Sequence, residues 1–159
     1  NFGRRDQLTI AGVPVGRELA GWRPGAAPEP PESGSVMVIL ATDAPMLDRA
    51  LRRLARRAAL GLARTGSIAG HGSGDYIIAF SNAVRIPHEP SERVLTLPHI
   101  VEDGALIDGL FQAAVEATEE AVINALFAAT TMTGRDGHVR YALPLDETLA
   151  ILRRAGVVR

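Results

Sequence analysis

Two uninterrupted apolar runs restrict this chain more than any other feature. Residues 36–41 read Val-Met-Val-Ile-Leu-Ala and residues 76–80 read Tyr-Ile-Ile-Ala-Phe. Each has the length of a strand and shows no alternation of polar with apolar side chains. Such runs belong in a sheet covered on both faces, so the chain has to be layered. With 159 residues, 47% of them hydrophobic, it is long enough for one core.

The remaining elements fall around these two runs. Residues 7–15 contain two short β-prone pieces split by Gly12, which predicts a strand pair or a bent strand, with Pro14 at an edge. From Arg23 to Gly34 there are four prolines and two glycines in twelve residues and no large apolar side chain, the composition of an exposed connection. Thr42-Asp43-Ala44-Pro45 reads as a helix start, followed by an apolar stripe at Leu47, Leu51, Leu54, Ala58 and Leu62. Arg49, Arg52, Arg53, Arg56 and Arg57 occupy the other face, either as a phosphate-docking cluster or as a solvated or interface-lining face. Val94–Leu97 is a short strand candidate. A long helix is expected over 107–131, with Glu116, Glu119 and Glu120 outward, stopping at Gly134. Pro144 opens a last helix, through Arg154, that Gly156 ends.

Composition removes several classes of function. All the basic side chains are arginine, 17 against 18 acidic ones, and there is no lysine. A side-chain amine for a Schiff base, a phosphate-loop lysine or a Ser-Lys dyad is therefore excluded, and any amine nucleophile or base has to be a chain terminus. A formal charge of −1 argues against broad nucleic-acid binding. No apolar run approaches the roughly 18 to 20 residues of a membrane span. The lack of cysteine leaves the redox compartment open. His71, His88, His99 and His138 lack the paired spacing of a helical metal site and have no thiols to join them, so neither metal nor cofactor is expected. The chain opens on Asn1-Phe2-Gly3, without an initiator Met or signal-peptide character, and is expected to be part of a longer polypeptide.

Two places carry chemistry. Gly70-His71-Gly72-Ser73-Gly74-Asp75 leads into a strand rather than from a strand into a helix, which is the wrong order for a dinucleotide or phosphate loop. Its alternate glycines permit close backbone approach, and Ser73 and Asp75, two apart, share a face where the strand begins. A hydroxyl backed by a carboxylate is a plausible relay. The two-residue spacing of His71 and Ser73 does not establish a catalytic dyad. The second place is Gly34-Ser35, where a Pro-rich tether meets a buried strand. Attack by the Ser35 hydroxyl on the Gly34 carbonyl, an acyl shift and hydrolysis release the Ser35 amine. That amine, with an ordinary pKa of about 7.7 to 8.0, is a competent general base near neutral pH.

Four stretches resemble one family. Gly34-Ser-Val-Met-Val-Ile-Leu-Ala-Thr-Asp-Ala-Pro45, Arg56-Arg-Ala-Ala-Leu-Gly-Leu-Ala-Arg-Thr-Gly66, His71-Gly-Ser-Gly-Asp75 and Ala128-Ala-Thr-Thr-Met-Thr-Gly-Arg-Asp-Gly-His138 look like the DmpA-type self-processing aminopeptidases, which include D-aminopeptidase/esterases and β-peptidyl aminopeptidases. The resemblance implies an α+β fold, a four-layer αββα sandwich of the N-terminal nucleophile hydrolase kind. It divides the chain into 1–34, the tail of an α chain, and 35–159, a β chain. Ser35 corresponds to the nucleophile and Ser73 and Asp75 to its supporting serine and acid; some members carry Glu at the last position, so Asp75 has a shorter arm. Asn1 corresponds to the oxyanion-hole asparagine. The implied activity removes unblocked N-terminal residues from small peptides, amino-acid amides or esters. The implied partners are the rest of the α chain and further αβ units in a homo-oligomer, in the cytoplasm or periplasm, with no nucleic acid or membrane. Two alternatives stand beside it. Acyl transfer of the ornithine acetyltransferase kind relies on a released threonine, so Ser35 favours hydrolysis. A non-catalytic binding domain would leave Ser35 in an ordinary loop.

Overall fold

The computed structural model describes residues 3–22, 24, 25 and 34–159. A 3-10 turn at Arg5–Gln7 leads to the one-turn helix α1 (Val15–Glu18), then β1 (Met37–Thr42), α2 (Asp48–Arg64), β2 (Tyr76–Ser81) and α3 (Gly104–Ala128). The short strands β3 (Met132–Thr133) and β4 (Val139–Arg140) follow, and α4 (Leu145–Arg154) is last. The mixture is α+β, as expected. Of the Pro-rich stretch only Pro24, Gly25 and Gly34 belong to the described residues.

Both apolar runs are strands, and they pair with each other. β1 and β2 are parallel, in register from Met37 opposite Tyr76 to Thr42 opposite Ser81. α2 is the crossover that a parallel pair requires. Coverage departs from expectation, because among the described residues only one face of the sheet is covered. Val38, Leu40, Ile77 and Ala79 are half-buried on the helical side, and Leu40 packs on the α2–α3 cluster. On the other side Met37, Ile39, Tyr76 and Ile78 are each more than half exposed. The runs are apolar on both faces, yet α2 and α3 pack against each other in one layer.

That layer holds the first core. Met46, Ala50 and Leu54 interlock with Ile107, Phe111 and Ala114. Gly61 lets the helices close: a Cβ there would lie 2.5 Å from the Val115 carbonyl oxygen. The guanidinium groups of Arg53 and Arg57 lie 5.0 and 3.7 Å from the Phe111 ring centre. Arg53 also reaches Glu102 at 2.6 Å, and His99 joins Glu102 to the backbone N–H of Leu47. The Arg53 hydrogen bond, supported by His99 and Arg49, holds the Glu102 carboxyl below its ordinary range. A second core joins Ile10, Val15 and Leu19 to Ile151 and Leu152 of α4, with Ile123 and Phe127 against it.

Several local expectations shift. Helix α2 begins at Asp48 rather than at Thr42-Asp43-Ala44-Pro45. β1 runs on to Thr42, whose Oγ1 accepts the Ala44 N–H at 3.1 Å and makes a turn of the apparent cap. Residues 7–15 form a single bridge, Ile10 to Val13, and Pro14 then opens α1. Val94–Leu97 has no strand partner and is not a strand. α3 spans 104–128 instead of 107–131, because Ala129 already has extended backbone. Beyond it β3 and β4 form an antiparallel hairpin where only a helix stop was expected. Its turn centres on Asp136-Gly137, both at positive φ, as a two-residue hairpin turn demands. α4 ends at Gly156 as expected, its N–H on the Arg153 carbonyl and that of Val157 on Leu152.

Candidate active site

Ser35 meets the segment Ser73-Gly74-Asp75 at the N-terminal end of the parallel pair. The Tyr76 N–H donates to the Val36 carbonyl at 3.0 Å. Two residues earlier the Gly74 N–H donates to Ser35 Oγ at 3.1 Å, so the ladder ends on a side-chain hydroxyl. Ser35 lies two residues before β1, in step with the outward row Met37, Ile39 and Ala41, and is itself exposed. It therefore stands just outside β1. Gly34 before it adopts φ 147°, a conformation L side chains rarely take.

Ser73 and Asp75 flank Gly74 in sequence, and the Ser73 hydroxyl donates to Asp75 Oδ1. A turn closed by the Ser73 N–H on the Gly70 carbonyl, 2.9 Å, presents the pair. Ser73, Gly74 and Asp75 are half-buried, which limits their solvation without removing it. The structure thus pairs Ser73 with Asp75 and brings the backbone of Gly74, between them, to Ser35. Asn1 lies outside the described residues.

Sequence reasoning missed Gly74. Its amide proton is aimed at the Ser35 oxygen, where it holds the hydroxyl in position and favours negative charge developing there. A Cβ at Gly74 would lie 3.4 Å from Ser35 Oγ and 3.3 Å from Tyr76 Cε2, so the absence of a side chain keeps this approach open. The alternating glycines were the available signal. They announced close approach but not which backbone group would serve.

The other candidates take structural roles. His71 is exposed and makes no hydrogen bond among the described residues. No group of three His, Asp or Glu among the described residues is placed to hold a metal ion. No helix among them is long and apolar enough to cross a membrane. Of the α2 arginines, Arg52 pairs with Asp48 at 3.0 Å, Arg53 with Glu102, and Arg57 caps the Phe111 ring and the Arg53 carbonyl.

Comparison with known proteins gives a consistent picture. The model of peptidase family S58 matches residues 1–140. Beta-peptidyl aminopeptidases BapA from Sphingosinicella microcystinivorans and Sphingosinicella xenopeptidilytica are 42% and 40% identical over 97% and 96% of this chain, which covers 41% and 40% of their lengths. The PH0078 protein of Pyrococcus horikoshii OT3 superposes with a TM-score of 0.85 at 53% identity, over 98% of this chain and 41% of its own. The L-aminopeptidase D-Ala-esterase/amidase of Ochrobactrum anthropi, described as a prototype for the serine aminopeptidases and a variant of the Ntn hydrolase fold, superposes with a TM-score of 0.85 at 38% identity. That match takes in 100% of this chain and 42% of the enzyme. The chain therefore has the corresponding part of an Ntn hydrolase fold and spans about two fifths of the length of the relatives it matches.

Proposed function

This chain belongs to peptidase family S58, and on that premise we propose that it carries the nucleophile of a self-cleaving N-terminal-serine aminopeptidase or amidase. The observation that carries the reading is the Gly74 N–H on Ser35 Oγ, beside the hydrogen-bonded Ser73–Asp75 pair. The aminopeptidase names of the relatives support the same class of reaction.

In the self-cleavage, Ser35 Oγ adds to the Gly34 carbonyl carbon. The tetrahedral species collapses by breaking the Gly34–Ser35 C–N bond; the nitrogen takes up a proton, and Gly34 is left as an ester on Oγ. Water hydrolyses that ester, which gives residue 34 a carboxylate and residue 35 a free α-amine. The positive φ of Gly34 and the lack of a Cβ there open the carbonyl to attack.

In turnover the freed amine takes the Oγ proton as Oγ adds to the substrate carbonyl and gives it to the leaving amine as the C–N bond breaks; water then hydrolyses the acyl ester on Oγ, releasing the acid and restoring the hydroxyl. A lysine-free chain acquires its base in this way. Gly74 orients Oγ, while Ser73 and Asp75 orient the nucleophile or receive the substrate ammonium. Asn1 completes the oxyanion hole, as the family resemblance implies. Substrates are small peptides, amino-acid amides or esters with an unblocked N-terminus.

The chain divides functionally at residue 34, and its partner is the further α-chain sequence that the longer relatives contain. Two features support that partner. The outer face of β1 and β2 is apolar and bare, and a groove of about 860 Å³ follows the edge of β1 between Val36–Ala41 and Ala117–Leu126 of α3. The test is Ser35→Ala in the full-length protein. It is expected to leave one uncut chain and to lower hydrolysis of an amino-acid amide by at least about 10³-fold. Retained hydrolysis in that variant overturns the assignment.

A further inference from the structure

We propose that Tyr76, with Met37 beside it, is a specificity-determining residue: together they receive the side chain of the residue being released, and they favour an apolar side chain over a polar one of the same size. The inference rests on the reading of Ser35 as the nucleophile and adds a substrate class to it.

Met37 and Tyr76 face each other as the first register pair of the parallel sheet. Ser35 and Gly74 stand two residues before them, one ahead of each strand, so the four share the outer row of the pleat. Gly74 has no side chain, and the point where its Cβ would stand is reached from two sides: Ser35 Oγ lies 3.4 Å from it and Tyr76 Cε2 lies 3.3 Å from it. The Tyr76 ring thus reaches back along the strand and borders the space in front of the nucleophile. Neither side chain belongs to the two buried cores, and Tyr76 is 64% and Met37 62% exposed. The deeper outward pairs, Ile39 with Ile78 and Ala41 with Phe80, remain for the α-chain partner.

The chemistry decides which part of a substrate lies there. Once Oγ has added to the substrate carbonyl, the released residue is anchored through its carbonyl carbon, and its side chain starts within a few bonds of the oxygen. The ester on Oγ holds that residue beside the ring through both halves of turnover, whereas the leaving group departs after the first. With a simple amide or ester the leaving group is ammonia or a small alcohol, so only the released residue carries a side chain to be distinguished. A thioether and an aromatic ring edge offer an uncharged, polarisable surface: an aliphatic side chain gains contact on it, and a polar one gives up water without a partner. Gly34, the acyl residue of the self-cleavage, has no side chain, so this shelf places no demand on that step.

Hydrolysis of paired amides by the full-length, self-cleaved protein tests this, in whichever of the L, D or β series the wild type turns over. The α-amides of leucine and asparagine match in size and differ in polarity, and kcat/KM of the wild type is expected to favour the leucine compound by about tenfold or more. Tyr76→Ala is expected to lower that ratio by about fivefold or more. Met37→Ala is expected to lower it by about threefold, and it serves alone if Tyr76→Ala does not cut itself. Tyr76→Phe, which keeps the ring, is expected to retain the ratio. A ratio is read because damage to the fold or to self-cleavage lowers both rates alike. A wild type that hydrolyses both amides equally, a ratio left unchanged by the alanine variants, or one lost as fully in Tyr76→Phe overturns the assignment of Tyr76 and leaves Ser35 in place. A wild type that hydrolyses no amide in any series overturns the reading of Ser35 and this inference with it.

Discussion

The α2–α3 interior and the entrance to the β1–β2 pair are built from opposite materials. In the interior Met46, Ala50, Leu54, Ile107, Phe111 and Ala114 bury apolar surface and leave little polar demand. At the entrance Ser35, Ser73, Gly74 and Asp75 bury little apolar surface and are held by hydrogen bonds to one another. The apolar core and the candidate site are thereby separated in space. The helical layer packs against the strands, and the strand ends set the Gly74 amide on the Ser35 hydroxyl and the Ser73 hydroxyl on the Asp75 carboxylate.

The largest expected departure from this contrast in stability comes from the interior. Phe111→Ala removes a buried ring that supports two guanidinium groups, and should cost about 3 to 5 kcal/mol in denaturant unfolding. A loss of well under 1 kcal/mol would mean that the layer is not a core. Ser73→Ala should do the reverse. It removes one hydrogen bond at the entrance, so unfolding should shift by no more than about 1 kcal/mol, while turnover falls by about 10²-fold or more. Wild-type turnover would reduce Ser73 to a turn residue.

The smallest effect concerns the clip between Glu102, Arg53 and His99 at one end of the interior. Because the folded state lowers the Glu102 pKa, the stabilisation is present above the ordinary carboxylate range and is lost as pH falls through the lowered folded value. Glu102→Gln should flatten that acid limb of the stability profile and leave the neutral activity profile unchanged. An altered activity profile would couple the clip to the entrance.

The strands and the contact between Ser73 and Asp75 were legible in the sequence because their signals are local and dense. Apolar runs of six and five residues bounded by serine, threonine or aspartate have few other readings, and Ser73 and Asp75 are two apart in one strand entry. Thr42-Asp43-Ala44-Pro45 misled because a cap and a turn use the same side chains, and only the pairing of Thr42 with Ser81 decides between them. The β3–β4 hairpin was lost because Gly134 sufficed as a helix stop, although Asp136-Gly137 is a strong hairpin signal. The amide of Gly74 had no side chain to announce it. The bare outer face shows the limit of patterning: residues 36–41 state that both faces are to be covered, but not by what.

These observations bear on one bond. Denaturing mass spectrometry of the freshly purified full-length protein, followed during incubation, reports directly on Gly34–Ser35. Two fragments whose masses meet between Gly34 and Ser35, the second beginning with a free serine amine, are the predicted result. A single intact chain after prolonged incubation, from protein that is folded, would contradict the account.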